Sequence, residues 1–351
     1  MDKTNSLFLA FLLYIPSLYF IPNSLYILPF IFLLITGNYK KVKFDINFLI
    51  LSVFIFTLLL IYLFNIVYNE QLYFFWFILW LTNYIVAKNI NQTTLRYLLF
   101  FIILETFFIW LEVFLGVENI FLHATQTDTL LFSYEFRPLG LSDGSPLMGQ
   151  KLFLAVLILL HLNIKEKTKL FLIIYLLLIE LIVFNRTVIL ATTFVLLLYS
   201  FNRFSVFWKV VLSITGLLFV STFFQMIYTR FNRDQEDIYL SGRDYIWQQG
   251  IEFIKEHLVF GNLTQKVHIV YIDGTFQHLH NSYLEYIANF GIIFTFLYIV
   301  FVIINIKKNN YIYIIAILLY CIFQYGIGWG ISLMDMLFFY FLFLPKRSLV
   351  C

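Results

Sequence analysis

Long runs of apolar residues, separated by short polar segments, dominate the pattern along this chain of 351 residues. A helix that crosses the hydrocarbon core of a bilayer needs about 20 apolar residues. Runs near that length, or somewhat shorter and bounded by polar residues, occur at 47–68, 71–87, 97–116, 147–163, 169–185, 187–201, 209–228, 283–304, 311–326 and 331–344. Residues 5–37 carry no charge and are broken at Pro22-Asn23-Ser24, which predicts a hairpin of two further helices. The pattern therefore predicts about twelve membrane-spanning helices.

Composition excludes a soluble protein. Of the residues, 62% are hydrophobic and only 12% are charged, whereas a soluble domain carries about 25% charged residues. A chain of this size cannot bury that much apolar surface in a water-soluble fold. Its 44 Phe and 24 Tyr also exclude intrinsic disorder. We therefore predict an all-α polytopic integral membrane protein, with residues 1–351 forming a single transmembrane helical domain.

The distribution of positive charge predicts the orientation of the helices. If the N-terminus is cytoplasmic, most of the 23 Lys and Arg residues fall in cytoplasmic segments close to helix ends, as the positive-inside rule requires. Both termini are then cytoplasmic, and two long connections, 117–146 and 229–282, lie on the outer side. Connections longer than about 12–15 residues usually carry function. We expect the functional site on this extracytoplasmic face.

The connection 229–282 contains a predicted amphipathic helix. Ser241-Gly-Arg-Asp244 is typical of a helix start, and Gly261-Asn262 is typical of an end. The apolar positions between them follow helical spacing, at Trp247, Ile251, Ile254 and Leu258. The simplest interpretation is a helix lying in the headgroup layer. That interpretation leaves Arg243 at the helix entrance unexplained, and an arginine there can bind phosphate oxygens in a bidentate way.

Two further arginines lie next to predicted spans. Arg186 separates the apolar runs 169–185 and 187–201, where a charge is costly and often functional. Pairing with Glu180 and snorkelling to the headgroups are its alternative explanations. Arg137 opens the turn Arg137-Pro-Leu-Gly140, and taken alone this motif is best explained as an ordinary turn with a solvated arginine.

Four of the six histidines lie in the connection 229–282, at positions 257, 268, 278 and 280. A neutral imidazole at the membrane surface can take a proton from a sugar hydroxyl. Asn281 and Glu285 are four residues apart and share a helix face, which suits them to orienting such a base or to holding a sugar. A structural histidine pair and a metal site stay open as alternatives, although spacing fixes no third ligand and Asp273 is only one candidate.

Acidic residues also occur inside the predicted spans. Glu105 and Glu112 are seven residues apart and therefore lie on one helix face, while Glu180 and Asp335 lie on other helices. Buried acids can form proton or cation relays. Because no basic partner is predicted at a matching depth, we predict hydrogen bonds between helices in place of a transport path.

The outer elements, in chain order, resemble the O-antigen polymerase and O-antigen ligase superfamily of bacterial envelope glycosyltransferases (Wzy-type and WaaL-type). The matching elements are Arg137-Pro-Leu-Gly140, Asn185-Arg186-Thr187, Ser241-Gly-Arg243 with Trp247, Phe260-Gly261, His278-Leu-His-Asn-Ser-Tyr-Leu-Glu285 and Phe290-Gly291-Ile292-Ile293. Two positions depart from the family pattern. Asn185 stands where Ser is common, and Gly144-Ser-Pro146 replaces a common Pro-Asn pair.

The resemblance implies glycosyl transfer from an undecaprenyl-diphosphate-linked oligosaccharide, without a metal or other cofactor and without nucleic acid. It implies a multi-pass protein of the bacterial inner membrane whose active site faces the periplasm. A chain-length regulator and a flippase are candidate partners in the lipid bilayer. The implied catalytic residues are His280 as base, with His278 as the less favoured alternative, and Arg243 and Arg186 on the diphosphate. The implied substrate-binding residues are Arg137, His278, Asn281, Glu285 and Arg230.

Three functions compete at this point. A polymerase transfers the glycan to another lipid-linked repeat unit, and a ligase transfers it to a lipid A core. The composition, rich in Phe, Ile and Tyr, favours the polymerase. A lipid-linked oligosaccharide flippase or transporter is the alternative from another class, and such proteins usually show two related halves with polar groups at mid-membrane depth. This chain shows no such repeat in its sequence, and its polar chemistry gathers outside the predicted spans.

Overall fold

The computed structural model describes residues 2–38, 45–69, 79–117, 119–120, 137–201, 243–262, 267–270, 274–328 and 331–344. The α-helices in these ranges are α1 (Lys3–Tyr14), α2 (Leu28–Ile35), α3 (Ile46–Asn69), α4 (Leu79–Asn89), α5 (Gln92–Leu115), α6 (Ser145–His161), α7 (Glu166–Val183), α8 (Arg186–Phe201), α9 (Arg243–Glu256), α10 (Ser282–Asn305), α11 (Tyr311–Phe323) and α12 (Leu333–Leu342). Two short strands, β1 (Ile269–Val270) and β2 (Phe276–Gln277), pair in antiparallel fashion. The predicted all-α fold class is confirmed.

The helices follow the predicted apolar runs, but the number of membrane crossings is not settled by them. Among the described residues, α5 and α10 are long and apolar enough to cross a bilayer, each with 24 residues. The predicted span 209–228 lies outside the described residues. The count of twelve crossings, the single domain and the cytoplasmic placement of both termini therefore stay predictions.

Prolines shape the N-terminal hairpin, whose helices are shorter than predicted. Helix α1 gives way to a 3₁₀ turn at Ile15–Ser17, where Pro16 cannot donate a backbone hydrogen bond. A second 3₁₀ turn at Asn23–Ile27 leads into α2, with Pro29 in its first turn. Helix α2 spans only eight residues, because the break predicted at Pro22 continues into the second 3₁₀ turn.

Burial along the helices separates an interior from an apolar outer surface. Helix α12 is buried along its whole length, and α6 is buried at nearly every position. Large apolar side chains on other helices point outward, among them Phe107 and Phe114 of α5, Phe171 of α7, and Phe296 and Ile303 of α10. An apolar exterior around satisfied backbone hydrogen bonds is the arrangement that a bilayer requires.

A buried ion pair joins α5 to α6. The Lys151 Nζ atom lies 2.8 Å and 2.9 Å from the two carboxylate oxygens of Glu105, and both side chains are almost completely buried. The prediction that Glu105 has no basic partner is therefore wrong. The sequence pattern does not reveal that Lys151, little more than one turn into the predicted span 147–163, lies at the depth of Glu105.

A second, smaller apolar cluster lies against the N-terminal half of α10. It joins α9 to the short hairpin through Ile246, Ile254, Val267, Ile269, Leu279 and Ala288. This small layer carries Arg243, at the start of α9, and the histidines that precede α10. It positions the candidate site.

Candidate active site

The histidine turn, residues 278–281, connects β2 to α10. Trp247 of α9 donates a hydrogen bond from Nε1 to the Leu279 carbonyl oxygen at 2.6 Å. The Leu279 side chain is completely buried and packs where a Cβ on Gly250 would lie only 2.3 Å from its Cδ2 atom. Because α9 contacts both the backbone and the side chain of Leu279, the position of α9 determines the position of the turn.

Glu285 holds the same turn from inside. Its Oε1 atom accepts a hydrogen bond from the Leu279 backbone N–H at 2.8 Å and lies 3.8 Å from His278 Nδ1. Its Oε2 atom accepts a bond from Asn289 at 3.4 Å. Asn289 in turn accepts a bond from the Val267 N–H at 2.8 Å. These contacts place the buried Glu285 carboxylate beside His278 and hold the backbone of the histidine turn at Leu279.

Asn281 is the N-cap of α10. Its side-chain oxygen accepts hydrogen bonds from the backbone N–H groups of Tyr283 and Leu284, at 2.9 Å and 3.1 Å. Its amide nitrogen donates to the Ile322 carbonyl at the end of α11. These contacts show that Asn281 and Glu285 hold the backbone on either side of His280, and whether they orient the base or hold a sugar stays a prediction. Direct contact of either residue with substrate stays a prediction.

His280 occupies a conformation that suits a functional residue. Its φ angle is +50°, which is uncommon for a residue other than glycine. Burial, together with the positive charge of Arg243, lowers the pKa of the His280 imidazole from 6.5 to about 4. The ring is therefore neutral at physiological pH, and a neutral imidazole can accept a proton.

Arg243 begins α9 and lies close enough to His280 to act on it electrostatically. Its charge also acts on Tyr320, which is buried near the end of α11. Tyr320 stacks on Phe153 of α6 with a centroid distance of 5.3 Å. The structure thus brings Arg243 and His280 together beside the ends of α10 and α11.

The buried face of α9 differs in part from the predicted apolar face, while its position in the headgroup layer stays a prediction. Its apolar face, with Ile246 and Ile254 buried, packs on the histidine turn and α10. Ile251 and Leu258, counted in the predicted apolar face, are each 44% exposed. The true buried face lies on the side that contacts Leu279, which helical spacing alone does not identify.

The turn that follows α9 docks into a break in α10. At Gly291 the backbone adopts φ +74° and ψ 173°, which interrupts the helix. The Ile292 N–H donates to the Leu258 carbonyl, and the Asn262 N–H donates to the Ala288 carbonyl, both at 2.8 Å. A Cβ at Gly291 would lie 2.1 Å from the Val259 carbonyl oxygen. Two glycines, Gly261 and Gly291, therefore allow backbone-to-backbone contact, which ties α9 rigidly to α10.

Arg137 and the segment that carries Arg186 meet at Ser145, the first residue of α6. The Arg137 Nη1 atom lies 3.4 Å from Ser145 Oγ. The Asn185 amide donates to the Ser145 carbonyl at 3.1 Å, and its side-chain oxygen caps α8 by accepting from the Val188 N–H. Arg186 follows directly and lies 5.8 Å from the Phe184 ring. Asn185, the departure from the family pattern, thus fixes the start of α8 against α6.

Pairing with Glu180 does not explain Arg186. The Glu180 carboxylate is almost completely buried and accepts a hydrogen bond from Thr192 at 2.8 Å. Thr192 lies on α8, so Glu180 serves the packing of α7 on α8. Of the predicted site residues, Arg230 lies outside the described residues.

Sequence reasoning missed Asn289, whose side chain bonds to Glu285 and to the Val267 N–H. Trp247 and Leu279 belong to the motifs that carry the resemblance, but the hydrogen bond between them is not predicted. One available signal was the spacing of Asn289, four residues after Glu285, which places the two side chains on one helix face.

One family model matches the part of the chain that carries most of these residues. The family model Wzy_C, described as O-antigen ligase, matches residues 170–299. This match confirms the predicted resemblance to the O-antigen polymerase and ligase superfamily over that segment, and it does not separate the polymerase from the ligase. The matched segment carries Arg186, Arg243, the histidine turn and Gly291. Members of this family are membrane glycosyltransferase-like enzymes of the bacterial inner membrane that serve polysaccharide biosynthesis. No curated protein matches the chain at a significant level.

Proposed function

We propose that this protein is a surface-polysaccharide polymerase of the bacterial inner membrane. It would transfer a glycan from an undecaprenyl-diphosphate-linked donor to a sugar hydroxyl of another lipid-linked repeat unit. The observation that carries the proposal is the placement of Arg243 beside a half-buried, neutral His280 on a turn that three other elements hold. Both termini would be cytoplasmic, and this turn would face the periplasm.

In this mechanism His280 accepts the proton of the acceptor hydroxyl, and the resulting nucleophilic oxygen attacks the anomeric carbon of the donor sugar. The bond between that carbon and the diphosphate oxygen breaks, and the undecaprenyl diphosphate departs with the electron pair. Negative charge then grows on the diphosphate. Arg243 and Arg186, with Arg137 as a third contact, would stabilise this charge through bidentate hydrogen bonds.

The proposal includes independence from metal ions. A diphosphate leaving group needs positive charge beside it, and metal-dependent enzymes supply that charge with a divalent cation. Guanidinium groups supply the same charge in a fixed geometry without a proton to lose. Three arginines around the leaving group therefore meet this requirement.

Polymer growth on purified lipid-linked repeat units tests the base assignment. We expect His280→Ala to abolish growth in proteoliposomes while the protein inserts and melts as the wild type does. The matched control is His257→Ala, because His257 lies in the same connection, directly follows α9, is exposed, and its ring contacts Phe253 one turn earlier. Growth at the wild-type rate in His280→Ala would refute the assignment.

A ligase is the second candidate, because the matching family model is described as O-antigen ligase. Both enzymes would use the same donor chemistry and differ in the acceptor. Deletion of the gene separates them. Envelope glycans that carry one repeat unit indicate loss of a polymerase, whereas envelope glycans without any repeat unit indicate loss of a ligase.

A further inference from the structure

The turn that carries Arg137 is built on two buried carboxylates of α5. Glu112 accepts hydrogen bonds from the backbone N–H of Gly140 at 2.8 Å and of Ile120 at 3.3 Å. Glu105 accepts from the Leu141 N–H at 3.1 Å and from the Ser142 hydroxyl at 3.2 Å. Residues 137–142, here called the arginine turn, belong to no helix or strand. Hydrogen bonds to two acidic side chains of α5 hold their backbone instead.

Other contacts complete the support for this turn. The Leu141 carbonyl accepts a bond from the Tyr19 N–H at 3.0 Å, and the Ser142 carbonyl accepts one from Asn119 at 3.3 Å. Gly140 has φ +60°, and a Cβ there would lie 3.3 Å from Ile109 of α5. Close backbone approach to α5 is thus a requirement of the turn.

The Glu105 carboxylate also has a compensating charge. Lys151 bonds to both of its oxygens, and the Tyr14 hydroxyl donates to Oε2 at 2.8 Å. Lys151 projects from α6, the helix whose first residue, Ser145, contacts Arg137. The ion pair therefore fixes the arginine turn to the same helix that receives the Arg137 side chain.

We propose that Glu105 and Glu112 are positioning residues that act on the transferase reaction through Arg137. This proposal rests on the proposed function, in which Arg137 contacts the donor diphosphate. The two carboxylates carry no proton or ion along a path. They fix the backbone of residues 139–142, and thereby the position of the Arg137 guanidinium beside Ser145.

Glu112 offers the cleaner test, because removal of Glu105 would leave the buried ammonium group of Lys151 without its partner. We expect Glu112→Ala to lower kcat/KM for the lipid-linked donor by about tenfold or more, since a misplacement of about 1 Å can cost on the order of 100-fold. Glu112→Gln keeps an oxygen that can accept from Gly140 and should recover part of this loss.

A double-mutant cycle with Arg137→Ala separates positioning from general destabilisation. If Glu112 acts through Arg137, adding Glu112→Ala to Arg137→Ala lowers kcat/KM by less than about threefold further. Losses that multiply in the double variant would overturn the proposal. If Glu112→Ala does not fold, the cycle is run with Glu112→Gln, for which the same criterion holds.

Glu180→Ala is the matched control, because Glu180 is an equally buried carboxylate that bonds to Thr192 and contacts neither turn. Equal losses of kcat/KM in Glu112→Ala and Glu180→Ala, at equal melting temperatures, would also overturn the proposal. If Arg137→Ala is fully active while His280→Ala is inactive, the positioning proposal fails and the transferase function stands. If His280→Ala is active, the base assignment in the proposed function fails, whatever the outcome for Glu112.

Discussion

Replacement of Gly291 by alanine should uncouple α9 from α10 and damage the site from a distance. The residue has φ +74° and ψ 173°, a conformation that only glycine adopts readily. This strain alone costs about 1–3 kcal/mol for another residue. The added Cβ would also lie 2.1 Å from the Val259 carbonyl oxygen, which belongs to backbone and cannot rotate away.

The turn after α9 must therefore move away from α10 in the Gly291→Ala variant. Its two hydrogen bonds across the break, Ile292 to Leu258 and Asn262 to Ala288, would be lost. Each contributes about 0.5–1.5 kcal/mol. The total destabilisation is then about 2–6 kcal/mol. Because α9 carries Arg243 and contacts the histidine turn, we also expect polymer growth to fall by at least tenfold, about 1.4 kcal/mol or more in the barrier.

The assay measures both melting temperature in detergent and polymer growth in proteoliposomes. Gly116→Ala is the matched control, since Gly116 has φ +66° but no atom within 4 Å of an added Cβ. Alanine there should lower stability only by the strain of a left-handed residue, about 1–2 kcal/mol, and should leave the activity unchanged. Equal stability and activity of the two variants would refute the argument that α9 is held by backbone contact at Gly291.

Two further predictions concern buried charge and metal ions. Lys151→Met should lower the free energy of unfolding by about 3–5 kcal/mol, because the Glu105 carboxylate stays buried without its partner. The control Lys169→Met loses a pair with the exposed Glu166 and should cost less than about 1 kcal/mol. Thermal melts compare the two variants, and equal shifts in melting temperature would contradict this reasoning. Treatment with EDTA, followed by gel filtration, should leave polymer growth unchanged, and activity that is lost and then restored by a divalent cation would contradict the arginine-based mechanism.

The sequence predicts the helices well because each apolar run is long and its polar ends are clear. The start of α5 shows the limit of this approach. The apolar run begins at residue 97, whereas the helix begins at Gln92 after an Asn91 cap that accepts from the Thr94 N–H. The first turn of this helix is polar, so it does not stand out in the hydropathy pattern, although its hydrogen bonds are helical. A hydropathy pattern therefore places the helix start about one turn too late.

Contacts between helices are harder to predict, because sequence spacing gives the face of a residue but not its depth. Lys151 and Glu105 are 46 positions apart, and nothing in either local pattern indicates that they pair. The break at Gly291 was also not predicted as a break, since the run 283–304 is continuous in hydropathy. A single glycine is compatible with an unbroken helix, and only the docked turn at Leu258 reveals why this one interrupts it.

The chemistry of the site was predicted in part. The residue types pointed to Arg243 and His280, and the structure places them within electrostatic range of each other. Trp247 and Glu285 bond to the backbone of Leu279, and Asn289 bonds to the backbone of Val267. Every residue carries these backbone groups, so no residue type indicates the partners. The backbone positions at Leu279 and Val267 therefore carry no signal in the sequence.

The pH dependence of kcat/KM for polymer growth tests the central claim most directly. If neutral His280 is the base, the rate should fall as the pH drops through about 4, where the imidazole becomes protonated. Removal of the Arg243 charge in Arg243→Gln should move this acidic limb to higher pH, while burial keeps it below about 6.5. Arg243→Lys keeps the charge and should leave the limb in place. An acidic limb at the same pH in the wild type and in Arg243→Gln would contradict the account.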